Sequence, residues 1–413
     1  MWRLLVLILV FFVIDFFAIQ SFKSVFKGKW LYIVYIVVSI LVVGNLIYQF
    51  ATFNRGATGF TFGVKLALAI FSVVYLTKLF LALFMFGEDI FRVLKSLYNL
   101  ITEQKTASGS YIPSRRKFIG QLALGVASIP FAASIYGVIR GKYNYKVIKH
   151  TLTFKDLPEA FDGYQITQIS DLHCGSFDNA EKIAYGVDLI NQQESDLILF
   201  TGDMVSNVAD EMLPWMDTFS KLKAKDGMFS VLGNHDYGDY KYWSTSDAKA
   251  KNLQKLIDQQ EQLGFKVLKN ESAFIEKNNQ RIAIQGVENW GAGGFKKAGD
   301  LEKTVKNVDS NDFKILMSHD PSHWEAQVVD HKYHHHLTLS GHTHGMQFGI
   351  EIPGWFKWSP IKWRYKQWAG IYKQKGQYIN VNRGFGFLAF PGRIGIWPEV
   401  TVITLKKGDN TVS

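Results

Sequence analysis

Hydrophobic and polar positions divide this chain into two parts of different texture. Residues 2–22, 30–50 and 61–87 are apolar stretches dominated by Leu, Ile, Val and Phe, each near or above the ~20 residues a helix needs to cross a bilayer. Without the polar face a soluble surface helix carries, three in succession predict membrane helices over 1–87. A fourth stretch, 118–139, is rich in Gly, Ala and Ser and contains Pro130; it reads as a fourth transmembrane or signal-anchor helix. Between them, 88–117 reads as a basic amphipathic linker lying along the inner membrane surface. From about residue 150 the pattern changes to short β-branched or Leu-rich runs at 165–170, 197–200, 228–232, 314–318 and 337–340, alternating with helical spacing at 182–192 and 249–263. Strands interleaved with helices predict an α/β domain over 150–405.

Charge sets an orientation. Short cytoplasmic loops collect Lys and Arg. The first loop carries Lys23, Lys27 and Lys29 and the third carries Arg92, Lys95, Lys105, Arg115, Arg116 and Lys117, whereas the second, 51–60, has only Arg55. Four spans then place the amino terminus and the large domain outside a bacterial cytoplasmic membrane. If the fourth segment fails to cross, the domain faces the cytoplasm, and Lys142, Lys146 and Lys149 weigh toward that alternative. The hexapeptide 114–119, Ser-Arg-Arg-Lys-Phe-Ile, resembles a twin-arginine export signal, with the export machinery as an implied partner; its internal position leaves a plain cytoplasmic flank as the equal reading. Asp15 and Lys78, both inside apolar spans, are expected to pair, since an isolated charge there is costly.

The formal net charge of +10 raises the question of nucleic acid, and its distribution answers it. Residues 1–150 hold 17 Lys or Arg against 4 acids, while the remainder holds 29 against 32. Basicity belongs to the membrane flanks, and no nucleic-acid partner is expected. The exception is 352–398, which has no acid and interleaves Trp355, Phe356, Lys357, Trp358, Lys362, Trp363, Arg364, Tyr365, Lys366 and Trp368. Three readings stand: a lipid-facing lip, aromatics packed under the sheet with cations over them, or rings on which nucleic-acid bases stack. The single cysteine, Cys174, excludes an intrachain disulfide.

Each short apolar run ends in a polar cluster: Asp171-Leu172-His173, Gly202-Asp203, Gly233-Asn234-His235-Asp236, Ser318-His319-Asp320 and Gly341-His342-Thr343-His344. Loops beyond the carboxyl ends of strands are where open α/β sheets hold ligands. Asp171, His173, Asp203, Asn234, His319, His342 and His344 offer seven oxygen and nitrogen donors, more than one ion takes, and this points to two divalent ions, with Mn, Fe or Zn suited to such mixed donors. His150, His323, His331 and the run His334-His335-His336 read as structural.

The five clusters, in this order, resemble the pattern of the calcineurin-like metallophosphoesterases, and the tail around 381–386 and 398–405 resembles membrane-linked bacterial phosphodiesterases of that superfamily. The resemblance implies two facing mixed β-sheets flanked by helices. It implies that Asp171, His173 and His344 hold one ion, that Asn234, His319 and His342 hold the other, and that Asp203 bridges them. It makes His235 the catalytic histidine outside the ligand set, with Asp236 orienting its imidazole. The activity implied is hydrolysis of a phosphate ester or pyrophosphate by in-line attack of a metal-activated hydroxide, with manganese the first ion to try and no phosphoenzyme. A lipid or envelope substrate suits an external domain. Two alternatives stand beside it: a noncatalytic membrane receptor or scaffold on the same fold, and a cytoplasmic-facing hydrolase of a nucleotide-linked lipid precursor.

Overall fold

A computed structural model describes residues 2–53, 60–102, 113–352 and 354–409. Arg55 in the second loop and residues 103–112 of the expected linker lie outside them. The chain divides into two compact units, 1–53 with 61–136 and 54–60 with 137–413.

The first unit is built from helices α1 (Trp2–Val25), α2 (Lys29–Thr52), α3 (Phe62–Ile101) and α4 (Pro113–Ile139). The three apolar stretches of the sequence lie within α1, α2 and α3. Among the described residues, Lys29–Thr52, Phe62–Ile101 and Arg115–Ile139 are long and apolar enough to cross a membrane. The linker expected to begin at residue 88 is corrected here: α3 runs on without a break to Ile101. At 1.5 Å per residue it is about 60 Å long, well beyond the hydrocarbon layer, because nothing between 88 and 101 breaks a helix. The paired arginines are helical too. Arg116 reaches Asp89 at 3.2 Å and Glu88 at 3.8 Å, and Arg115 lies over the Phe91 ring at 4.5 Å; these contacts tie the α4 start to α3.

Inside this unit Lys78 Nζ bonds Asp15 Oδ1 at 2.7 Å and Ser39 Oγ at 2.6 Å. The hydroxyls of Tyr35 and Tyr75 donate to the same carboxylate at 2.8 and 2.9 Å. The expected pair is therefore real, and three helices contribute to satisfying it, as a buried ion pair requires.

Among the described residues the second unit holds fourteen strands: β1 (Lys146–Phe154), β2 (Gln165–Ile169), β3 (Leu197–Phe200), β4 (Met228–Ser230), β5 (Phe265–Val267), β6 (Glu271–Lys277), β7 (Gln280–Gly286), β8 (Phe313–Met317), β9 (Leu337–Ser340), β10 (Ile350–Ile352), β11 (Phe356–Trp358), β12 (Gly370–Gln374), β13 (Gln377–Val381) and β14 (Glu399–Lys407). One sheet has the order β1-β14-β2-β3-β4-β5 and the other β12-β13-β9-β8-β7-β6, while β10 and β11 form a separate hairpin. Both sheets are mixed, with parallel centres β2-β3-β4-β5 and β7-β8-β9. Their inner faces share one core, in which Ile166, Leu197 and Phe229 of the first sheet meet Ile284, Ile315 and Leu339 of the second. The helix Ala180–Asn191 covers the outer face of the first sheet with Ile183, Val187 and Ile190. β2, β3, β8 and β9 are buried along almost their whole length, and the carboxylates and imidazoles of the polar clusters sit in the loops that follow them.

Candidate metal centre

Those loops converge. The β2 loop brings Asp171 and His173, the β3 loop Asp203, the loop after β4 Asn234, His235 and Asp236, the β8 loop His319 and Asp320, and the β9 loop His342 and His344. Asp171, His173 and His344 form one group of possible ligands, and Asp203, His319 and His342 a second.

In the first group His173 Nε2 and His344 Nε2 are 3.0 Å apart, and His344 Nε2 is 3.1 Å from Asp171 Oδ1. Ligands at ~2.1 Å from one cation stand about 3.0–3.4 Å from each other, so the spacing fits a shared ion. In the second, His319 Nε2 is 3.1 Å from Asp203 Oδ2, and the same carboxylate oxygen is 3.5 Å from His173 Nε2. Asp203 thus stands between the two groups, where a bridging carboxylate belongs.

The ring tautomers follow from the hydrogen bonds behind them. His319 Nδ1 donates to the Thr201 carbonyl at 2.8 Å, which leaves Nε2 as the ring atom facing inward, able to ligate once it gives up its proton. His342 Nε2 is 2.8 Å from Tyr365 Oη, which donates in turn to Asp320 Oδ2 at 3.3 Å. His342 Nε2–H therefore donates outward, and its Nδ1 faces Asn234 Oδ1 at 2.9 Å. Two acceptors that close repel unless a cation lies against both. Asn234 is turned this way because its Nδ2–H donates to Tyr240 Oη at 2.7 Å. The donor set fits two divalent cations.

Charge around the centre follows from burial. Buried His342 is pushed down to about 4, and burial drives His173 well below its usual range, so both rings are neutral, as ligands must be. Burial alone would lower His319 as well, but the adjoining Asp203 carboxylate lifts it to about 10.

His235 sits at the edge of the centre, its ring 4.9 Å from His173 and 4.3 Å from Tyr240, centroid to centroid. The resemblance gave the orienting role to Asp236, and the structure corrects it: His235 Nδ1 donates to the Ser206 carbonyl at 2.8 Å. Asp236 instead accepts from the backbone N–H of Asp203, Met204, Val205 and Gly233 at 2.9, 2.8, 3.3 and 2.8 Å. Burial and the Asp203 charge push its carboxyl up to about 7. With both oxygens facing two N–H donors each, no room is left for a proton, and we take it as ionised. Its work is to clamp the β3 loop to the loop after β4.

Three further residues were given no task at this centre by the sequence. Ser206 acts through its carbonyl, which no side-chain pattern reveals. Asp320 stands inside a quoted cluster, and its adjacency to His319 was the available signal. Tyr365 belongs to the aromatic stretch, where it reads as lip or packing; it is buried and bonded to a candidate ligand. Three of the remaining histidines make structural contacts: His323 Nδ1 meets Ser318 Oγ at 2.9 Å, His335 Nδ1 meets Gln285 Oε1 at 2.8 Å, and His336 Nδ1 accepts from the Lys314 N–H at 3.0 Å. Cys174 is buried, and burial pushes its thiol up, away from the thiolate a metal would need.

Two family models match the chain. Residues 164–346 match "Calcineurin-like phosphoesterase" and residues 2–142 match "Probable Calcineurin-like phosphoesterase, transmembrane domain". An uncharacterized metallophosphoesterase of Bacillus subtilis (strain 168), YkuE, is 31% identical over 302 residues, covering 71% of this chain and 98% of the relative. A transmembrane protein with metallophosphoesterase domain from Danio rerio is 26% identical over 349 residues, covering 81% of this chain and 72% of the relative.

Proposed function

Since this chain belongs to the calcineurin-like metallophosphoesterases, we propose that it is a membrane-anchored, dinuclear-metal hydrolase of phosphate esters or pyrophosphates. The observation that carries the reading is the position of Asp203, whose carboxylate oxygen lies 3.1 Å from His319 of one ligand group and 3.5 Å from His173 of the other. In this reading Asp171, His173 and His344 hold one ion, Asn234, His319 and His342 hold the second, and Asp203 joins them. Bound there, two cations would activate water at neutral pH and offset the charge of the phosphoryl oxygens.

The chain's own residues supply the rest. The Ser206 carbonyl fixes the Nδ1–H tautomer of His235, so Nε2 is the atom free to meet the substrate. That nitrogen is placed to donate a hydrogen bond or proton to the leaving oxygen, general-acid work for which an imidazole is suited. Tyr365 and Asp320 hold His342 in the tautomer that points Nδ1 inward. No side-chain nucleophile is required, and the product is released without a covalent phosphoenzyme.

Placement of this domain outside the cell is supported by the lysine-rich first and third loops. Lys142, which weighed against it, is buried and bonded to Asp178 at 2.5 Å, so its charge is answered within the domain and gives no topological signal. Such an active site would meet lipid or envelope phosphoesters.

The test uses the full chain in detergent, assayed on a soluble phosphodiester and a monoester with manganese, iron or zinc added singly. Wild type should bind two ions and turn over. Asp203→Asn should lose both properties, while His235→Ala should keep both ions and fall by roughly 10²–10⁴-fold in kcat. A wild-type chain that takes up no more than one ion at saturation sinks the proposal, whatever its activity.

A further inference from the structure

Building on the reading of the metal centre as a phosphoester site, we propose that the β10–β11 hairpin and the turn after it dock into the bilayer interface, so that the centre acts on phosphate groups of membrane lipids.

The hairpin is two three-residue strands with little core of its own, and its apolar side chains face outward. Trp355 is 81% exposed, Trp363 75%, Ile350 54% and Phe356 47%. Large exposed aromatics concentrated in one short element mark a binding surface. Their chemistry is that of a bilayer interface, where indole rings settle at headgroup depth. Lys362, Arg364 and Lys366 are exposed beside them, and cations on flexible stems suit lipid phosphates. Glu351, the one acid of the hairpin, is ion-paired with Arg383.

Two connections decide what covers this surface. At its foot, Phe348 pairs with Ile394 and the Gly349 N–H donates to the Ile394 carbonyl at 2.9 Å; one residue back, the Arg393 N–H donates to the carbonyl of Gly137 at 3.1 Å. Gly137 lies in the last turn of α4, an apolar helix long enough to cross a membrane, and Ile139 at its end is 66% exposed. Gly137 and Ile139 belong to the same compact unit as the hairpin, so the hairpin's foot is bonded to the residues through which the chain enters this unit from α4. At the other end, Thr343 Oγ1 donates to the Trp368 carbonyl at 2.7 Å, Tyr365 bonds His342, and the Arg364 guanidinium lies 5.0 Å over the Phe295 ring, itself 4.8 Å from the His342 ring. One continuous piece of chain therefore runs from the exposed indoles to a candidate metal ligand. A soluble protein or a second copy of this chain would also cover indoles, but neither accounts for the juxtaposition with the end of α4.

The test reads docking without turnover. Single-cysteine variants Trp355→Cys and Trp363→Cys of the full chain carry a fluorophore in lipid nanodiscs; buried Cys174 leaves the label selective. Asn278→Cys is the control, since the β6–β7 turn lies at the end of the second sheet opposite the metal loops. Nitroxide-bearing lipids should quench the labels at 355 and 363 roughly two-fold or more, while the label at 278 should respond to aqueous iodide alone. Labels at 355 and 363 that respond to iodide and not to lipid, or to neither because protein covers them, would overturn the proposal. Docking without hydrolysis would instead count against the catalytic reading, so the two ideas fail separately.

Discussion

Five of the seven candidate ligands hold left-handed backbone conformations: Asp171, His173, Asp203, His342 and His344 have φ of 52°, 45°, 60°, 70° and 50°. Non-glycine residues pay for such geometry, about 1–3 kcal/mol each, and they gather where surrounding structure forces it. Here each one turns its side chain sharply off a strand end into the centre. The charge state of His319 gives a prediction at the same scale. Because Asp203 lifts it to about 10 in the metal-free chain, the ring is protonated at pH 8 and must lose that proton to ligate. Metal titrations by calorimetry, run at pH 8 in buffers of different ionisation enthalpy, should show about one proton released. The release should vanish in His319→Asn. A buffer-independent heat in the wild type would contradict the assignment.

At the scale of elements, the loops close on one another through glycines. A Cβ on Gly341 would stand 1.9 Å from Ser170 Oγ and 2.2 Å from Asp171 Oδ2, and Gly202 combines a φ of +96° with a Gly233 nitrogen at 2.5 Å. Gly341→Ala should therefore drive Asp171 out of place and reduce bound metal below two ions per chain, with circular dichroism unchanged. Among the helices, Asp15 of α1 and Lys78 of α3 depend on each other. Asp15→Asn leaves the ammonium without its counter-charge and should cost about 3–5 kcal/mol, read as a lower melting temperature in detergent. The double variant Asp15→Asn/Lys78→Met should recover most of that loss; if it melts as low as the single variant, the pair is not what holds these helices.

For the whole molecule, the open question is which side of the membrane the second unit occupies. If the lysine-rich loops lie inside and the chain crosses four times, as proposed, protease added to intact spheroplasts should digest the domain while a cytoplasmic marker survives. Protection until lysis would place the domain inside and direct the substrate search to nucleotide-linked lipids. Much of this organisation was legible beforehand. The runs at 165–170, 197–200, 228–232, 314–318 and 337–340 correspond to β2, β3, β4, β8 and β9 within one or two residues, because each is a short β-branched or Leu-rich piece bounded by Gly or Asp. The hairpin β10–β11 was not legible as strands, since two three-residue pieces give no periodicity to read. Nor was the length of α3, whose amphipathic end looks like a linker when the start of the next helix is unknown.

The amino-acid sequence by itself determined where the chain is apolar enough for a membrane, which strands form the centre of the sheets, and which donors follow them, because each of these is a property of neighbouring residues. It left to the tertiary structure what depends on distance between remote positions. Hydrogen-bond partners are of that kind: the Ser206 carbonyl behind His235, Tyr365 behind His342, the Thr201 carbonyl behind His319, and the β3-loop amides gathered by Asp236. A hydrogen bond across 20 or more residues leaves no local pattern, so only the folded backbone decides which tautomer faces the candidate centre and which carboxylate holds the loops together.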